Sequence, residues 1–248
     1  LYPSYWLLRK CFINSIIAIH YDLNCLGVLI LGGRSALLIG ASGLVGSELL
    51  KLLLQSDLYG DVTIFVRRKL PTQHVKLKQI VINFDELEKY ESFFRVDDVF
   101  SCLGTTMKKA KTKQEFIKVD YEYTIRVAAL AEKCDTKNFL TISSIGADPK
   151  SMFFYNRVKG ETEEAIQRLS LKSVHIFRPS LLMGKRYEFR VLEKAAEWLF
   201  RCIFFMFSGK LRKYRPIEAK KVALAMYKAA LSCKNGIYIH ESDKIVNG

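Results

Sequence analysis

The segment Ser35-Ala36-Leu37-Leu38-Ile39-Gly40-Ala41-Ser42-Gly43-Leu44-Val45-Gly46 decides the architecture of this chain. Its first five residues are a short apolar run, and residues 44–54 carry apolar side chains at helical spacing. After Gly60 and Asp61, residues 62–66 are rich in β-branched side chains and end at Arg67-Arg68. Strand, glycine turn, helix and strand in that order are what a dinucleotide-binding unit requires. The three glycines, 40, 43 and 46, have separate tasks in such a unit. One permits the tight turn, one lets the backbone approach a pyrophosphate, and one packs the helix against the strand. Free N–H groups and the positive end of the helix dipole then hold the phosphates.

The end of the second strand selects the nucleotide. An acid about 20 residues beyond the glycines would hold the ribose 2′-hydroxyl of NAD. This chain has Arg67 and Arg68 there. A guanidinium pairs with a 2′-phosphate and stacks on adenine, so NADP(H) is favoured over NAD(H). Residues 79–82 read as a third strand, followed by Asp85, whose carboxylate is expected at the adenine edge. Residues 98–103 read as a fourth strand running into Leu103-Gly104-Thr105, where the glycine lets the cofactor's ribose approach the backbone. A long helix over 115–133 follows, then strands over 138–143 and 174–177, a helix over 219–231 and a last short strand over 236–239. This alternation predicts an α/β fold: a doubly wound, mostly parallel sheet of the Rossmann type with a small C-terminal cap.

The chemistry is expected where the fifth strand runs into Ser143-Ser144 and the next helix opens with Tyr155 and Lys159. Four residues apart, the tyrosine and lysine share one helical face. A phenol is a weak acid–base catalyst near neutrality, and a neighbouring ammonium stabilises its phenolate. The same lysine is placed to bind the nicotinamide ribose. The tyrosine then passes a proton to or from a substrate oxygen as hydride moves to or from the nicotinamide. Adjacent strand residues point to opposite faces, so one of Ser143 and Ser144 faces the site; Ser144, nearer the loop, is slightly favoured. Arg178-Pro179 and the small and apolar residues after it suit a loop folding over the nicotinamide ring. The expected function is NADP(H)-dependent oxidoreduction of a small-molecule carbonyl or alcohol substrate. Two rivals stand beside it: an NADPH-sensing regulatory protein with little turnover, and an NAD-dependent sugar-nucleotide epimerase or dehydratase. The arginine pair argues against the second.

The motifs GASGLVG (40–46), VRRKL (66–70), SCLGTT (101–106), VDYEYT (119–124), SSIGAD (143–148), YNRVKGETE (155–163) and FRPSLL (177–182), in this order, resemble the Tat-interacting oxidoreductase family of atypical short-chain dehydrogenases. The resemblance runs from about Ser35 to Tyr238. It implies cofactor contacts at Ser42, Gly43, Leu44 and Val45, with Arg67 and Arg68 on the 2′-phosphate and Leu103 and Gly104 along the ribose path. It also implies Tyr155 as proton acceptor with Lys159 its partner, and further cofactor contacts at Leu182 and Arg190. The departures are the first 34 residues, which have no counterpart, and residues 198–213, which are more hydrophobic and basic than the family pattern.

The rest of the sequence bounds the setting. The chain has 248 residues, half of them hydrophobic, which is enough for one large domain. Residues 1–34 read as an N-terminal extension and 35–248 as the nucleotide-binding domain. The apolar stretches of the extension are interrupted by polar residues, and none reaches the ~20 residues of a membrane helix. With 39 Lys and Arg against 25 Asp and Glu, the net charge is +14 and invites an anionic partner. Neither basic run offers a groove-entering helix or stacking aromatics, so sequence-specific nucleic-acid binding is not expected. Six cysteines and four histidines show no ligand spacing, which predicts free thiols, no metal and a cytoplasmic location. Residues 191–207 read as an apolar helix of a substrate-side cap, although aromatics beside the basic run 210–215 also suit peripheral contact with an anionic membrane. By analogy with related folds, the helices over 115–133 and 155–169 are candidates for a homodimer interface.

Overall fold

The computed structural model describes residues 33–183, 214–232 and 234–247. The extension up to residue 32, Arg190, the helix expected over 191–207 and four of the six cysteines lie outside the described residues.

Strand β1 (Arg34–Ile39) leads through the glycine turn into α1 (Leu44–Gln55), then β2 (Tyr59–Val66) and β3 (Leu77–Val81). A 3-10 stretch, Phe84–Phe94, carries the chain to β4 (Asp98–Ser101) and the short α2 (Met107–Ala110). Next come α3 (Lys113–Ile117), a π-helical turn over Lys118–Glu122, and α4 (Tyr123–Lys133). Strand β5 (Asn138–Ile142), α5 (Phe154–Gln167) and β6 (Ser173–Arg178) complete the alternation. Beyond them lie the two-residue strands β7 (Leu182–Met183) and β8 (Ile217–Glu218), then α6 (Ala219–Ala230), β9 (Gly236–Glu241) and α7 (Ser242–Asn247).

Seven strands form one sheet in the order β3-β2-β1-β4-β5-β6-β9, and each neighbouring pair is parallel. The doubly wound architecture read from the sequence is therefore the observed one. Central strands covered on both faces need apolar side chains at every position, which is why β1 reads as a continuous run. Leu37 and Ile39 enter a cluster with Phe65, Val99, Val127, Ala128 and Phe139. Ala36 and Leu38 point the other way and are equally buried. The winding reverses between β1 and β4, and at such a switch point a crevice opens beyond the carboxyl ends of the strands.

One expectation needs correction. The single helix over 115–133 is broken by the π turn, which adds a residue and redirects the side chains around Asp120. The expected last strand is present as β9, which pairs with β6 and extends the main sheet, while the segment expected to form the cap lies outside the described residues. Among the described residues, no helix is long and apolar enough to cross a membrane.

The amino ends of the strands are tied by one buried carboxylate. Asp98, at the start of β4, accepts from Arg34 Nε at 2.9 Å and Nη2 at 2.6 Å, from the Tyr59 hydroxyl at 2.6 Å and from Asn138 Nδ2 at 2.7 Å. Arg34 and Asn138 also reach the carbonyl of Ala230 at the end of α6, each at 3.2 Å. Burial opposes the Arg34 charge, but Asp98 outweighs it and holds the guanidinium pKa above its usual value. Burial and the Asp98 charge push the Tyr59 phenol well up, so it remains a donor. Asp98→Ala strands the Arg34 cation and should cost about 3–5 kcal/mol in urea unfolding; an unchanged midpoint would contradict this role for the carboxylate.

A second polar cluster lies between β6 and β9. His175 Nδ1 and His240 Nε2 are 3.0 Å apart, and Ser173 Oγ lies 3.2 Å from His175 Nε2. Burial, then His240 and Lys234, push His175 from 6.5 down to about 4. Burial and Lys244 lower His240 as well. The unfolded chain therefore binds more protons, so this contribution to stability is present above about pH 6.5 and is lost as pH falls toward about 4. His175→Gln should flatten the pH dependence of the unfolding free energy across that window, measured by urea titration at stepped pH.

Candidate active site

The crevice at the switch point begins with the glycine turn. Gly40 has φ +86°, and a Cβ there would lie 2.4 Å from the carbonyl oxygen of Cys102 beyond β4. A Cβ on Gly46 would lie 2.2 Å from the Gly40 carbonyl oxygen, so α1 approaches the strand end too closely for any side chain. Gly43 N donates to that same carbonyl at 2.9 Å and closes the turn. Helix α1 then starts without a side-chain cap and with no acid in its first turn. Its positive end is left for an anion from outside.

The opposite wall is α5. Lys159 Nζ lies 2.7 Å from Asp120 Oδ1, with the two side chains only 7% and 0% exposed. Asp120 Oδ2 accepts from the main-chain N–H of Thr105 at 2.8 Å, and its carbonyl accepts from Thr162 Oγ1 at 3.3 Å. The π turn thus ties α5 to the loop after β4 through one carboxylate. Burial pulls the Lys159 pKa down, but Asp120 foremost, then Tyr155 and Glu163, raise it, and the net direction is up. Lys159 is a fixed cation one helical turn from Tyr155. The Tyr155 ring packs against Phe116, with centroids 5.4 Å apart. Around Gly104 no protein atom demands a glycine: a Cβ would lie 3.6 Å from Asp120 Oδ1 and 3.9 Å from Lys159 Nζ, projecting into the cleft.

The cleft has a volume of about 550 Å³. Its lining brings together Gly40, Ser42, Gly43, Leu44, Val45 and Gly46 from the turn, Arg67 from the end of β2, and Leu103, Gly104 and Thr105 after β4. Ser143, Tyr155, Lys159 and Leu182 complete it on the other side. Three expected residues are not on the lining. Ser144 gives way to Ser143: the Ser143 N–H bonds the Phe177 carbonyl at 2.7 Å and extends the pairing of β5 with β6 by one step, before the chain turns at Ile145-Gly146. Both hydroxyls are buried without a hydrogen-bond partner, but Ser143 is the one in the cleft. Of the pair just beyond the end of β2, Arg67 is on the lining and Arg68 is not. Asp85 is already engaged, accepting from the Tyr123 hydroxyl at 2.6 Å and lying 2.8 Å from Lys118 Nζ. Those two partners, Lys118 first, hold its carboxyl below the usual range. Arg190 lies outside the described residues.

Of the stretch from the end of β6 onward, Leu182 is on the lining and Arg178 is not. Its guanidinium pairs with the buried Glu163 of α5 and with Glu241 of β9. It neutralises the acid one turn beyond Lys159. The important residue missed by sequence reasoning is Asp120. Its one signal is an acid in line with the inward positions Thr124, Val127, Ala128 and Ala131, which has meaning only once Lys159 is known to lie opposite. Phe84 and Tyr123, rings 5.4 Å apart, also line the cleft without having been foreseen. Cys102 lines it too, and burial pushes its thiol up to about 12.

A further glycine fixes the α5 wall. A Cβ on Gly160 would lie 2.2 Å from the backbone of Asp148 and Pro149, so the loop leaving Ser143 crosses directly over α5 beside Lys159. Gly160→Ala should therefore lower stability by about 1–3 kcal/mol or more in urea unfolding. A variant as stable as wild type would show that the crossing is looser than its geometry.

Residues 36–188 match the model of the NAD dependent epimerase/dehydratase family. Protein HTATIP2 of Rattus norvegicus is 39% identical over 175 residues, covering 69% of this chain and 70% of its own length. Protein fmp52, mitochondrial, of Emericella nidulans is 30% identical over 222 residues, covering 84% of this chain and 92% of its own. Among solved structures, MoeE5 in complex with UDP-glucose and NAD superposes with a TM-score of 0.63 at 17% identity, over 86% of this chain and 80% of that one. The last comparison shows the fold; the first three show kinship, so the chain belongs to the NAD dependent epimerase/dehydratase family and is a homologue of HTATIP2.

Proposed function

We propose that this chain binds NADP(H) in the cleft and transfers hydride between it and a carbonyl or alcohol substrate. The observation that carries the reading is the face of α5: Tyr155 and Lys159 open onto the same cleft as the uncapped start of α1, with Lys159 held by Asp120. The residues present fit a dinucleotide. The turn from Gly40 to Gly46 has room for backbone close to a pyrophosphate, and the absence of a side chain at Gly104 leaves space beside Lys159. Arg67, on the lining, supplies the guanidinium for a 2′-phosphate.

When bound, the nicotinamide supplies or accepts the hydride. The chain's own residues handle the proton. Tyr155 holds it on its hydroxyl and passes it to or from the substrate oxygen. The Ser143 hydroxyl, without a partner of its own, donates a hydrogen bond to that same oxygen. Lys159 stays cationic beside the phenol and stabilises its anion, while Leu182 closes one side of the cleft. A second reading, sugar-nucleotide epimerisation with NAD, draws on the UDP-sugar and NAD named in the structural neighbours. Arg67 speaks against it, because it stands where an acid would hold the 2′-hydroxyl of NAD.

A fluorescence titration with NADPH and NADH separates these readings. Wild type should prefer NADPH, and Arg67→Ala should remove roughly a tenfold preference, as expected for a lost charged hydrogen bond. Arg68→Ala should change little. Equal affinity for both nucleotides in wild type would favour the epimerase reading. Tyr155→Phe should keep NADPH affinity and lose about 10²–10⁴ in turnover across a carbonyl panel. Tight NADPH binding with no turnover by wild type would instead assign the cleft to sensing.

A further inference from the structure

Large apolar side chains stand in solvent beside residues of the cleft lining on two separate segments. Met152 is 95% exposed and Phe153 75%, immediately before Phe154 and Tyr155 on α5. Leu181 is 67% exposed, next to Leu182 on the cleft lining. These residues are not on slack chain. The Ser151 hydroxyl accepts from Phe153 N at 3.2 Å, the Ser151 carbonyl accepts from Arg157 Nη1 at 3.1 Å, and Arg157 N donates to the Phe153 carbonyl at 3.0 Å. The Leu181 carbonyl is held by Ile217 N at 2.9 Å. Apolar surface presented in a fixed pose loses little entropy when covered.

The rim there is also basic. Lys108, Lys111 and Lys113 lie on the segment after β4, and Lys150 sits two residues before Met152. Lys113 Nζ lies 5.3 Å from the centre of the Phe154 ring, which joins the lysine segment to the apolar one. None of these four lysines has a carboxylate partner among the described residues. Elsewhere on the surface Lys51, Lys89, Lys118, Lys133, Lys137 and Lys172 are paired with carboxylates, whereas Lys69, Lys220, Lys221, Lys234 and Lys244 have no carboxylate partner among the described residues.

We propose that the mouth of the cleft docks on an anionic lipid bilayer, with Met152, Phe153 and Leu181 entering the headgroup boundary and the lysines lying against acidic headgroups. Apolar wedges ringed by unpaired cations match such a surface, where each lysine and each buried apolar side chain adds to binding. A second copy of the chain matches it poorly, because a two-fold contact would set this basic rim against itself. The contact is peripheral, and it turns the opening beside Tyr155 toward the membrane. A substrate carbonyl would then come from molecules dissolved in the bilayer. That consequence rests on the hydride-transfer reading, whereas the docking itself does not.

The test is co-sedimentation of the full chain with phosphatidylcholine vesicles, with and without phosphatidylserine. Wild type should bind the phosphatidylserine vesicles, leave those of phosphatidylcholine alone, and be released by high salt. Met152→Ser combined with Phe153→Ser should weaken binding roughly tenfold or more. Lys108→Glu and Lys150→Glu should each weaken it roughly fivefold or more. NADPH affinity, measured in solution, should be unchanged in all of these variants, which separates failed docking from a failed cleft. Binding that the variants leave intact would place the contact elsewhere in the chain and overturn the proposal. Absence of binding by wild type would do the same, as would a dimer in gel filtration that Met152→Ser and Phe153→Ser dissociate.

Discussion

Asp98 is the constraint on which the remaining geometry depends. A carboxylate removed from water is costly unless its oxygens are saturated, and here three side chains from three strands supply the donors. Arg34, Tyr59 and Asn138 start β1, β2 and β5, so one buried charge sets the relative heights of four neighbouring strands. Strands aligned at their amino ends deliver their carboxyl ends at defined heights too. That is why Gly40 and Cys102 meet at the crevice with room for a carbonyl and none for a Cβ.

At the carboxyl ends the same economy recurs with one acid and one cation. Asp120 reaches the cleft because the helix after α3 takes a π turn there. It binds Lys159 and the main chain of Thr105 together, so the cation on α5 and the loop after β4 move as a unit. Arg178 performs a parallel service one turn further on, pairing with the buried Glu163, whose charge also reaches the lysine. Preorganisation of this kind places charge before any ligand arrives and leaves little to rearrange on binding.

The parts of this arrangement that depend on spacing along the chain were legible in the sequence. The glycine turn, the order of strands and helices, and the Tyr155–Lys159 pair are local patterns, and each stands in the cleft where it was expected. What depends on direction was not legible. Ser143 and Ser144, like Arg67 and Arg68, follow the last residue of a strand, and which of each pair reaches the cleft depends on the path the chain takes once the strand has ended. Asp85 was within reach of the adenine end by position, but Lys118 and Tyr123 claim it from a helix far along the chain. Asp120 needed two distant facts at once, a π turn and a lysine opposite. No periodicity encodes either.

The Cys102 thiol has a bearing on how such a cleft ages. A cysteine reacts with oxidants and electrophiles as its thiolate, and burial with no cation beside it keeps this one protonated far above neutral pH. A sulfur on the wall of a nucleotide cleft is thereby kept off the ladder that leads from sulfenic to sulfonic acid. A thiol kept in that form is a slow nucleophile toward peroxide or a reactive aldehyde at the place where the backbone approaches Gly40 most closely. Burial at this position supplies chemical durability along with packing.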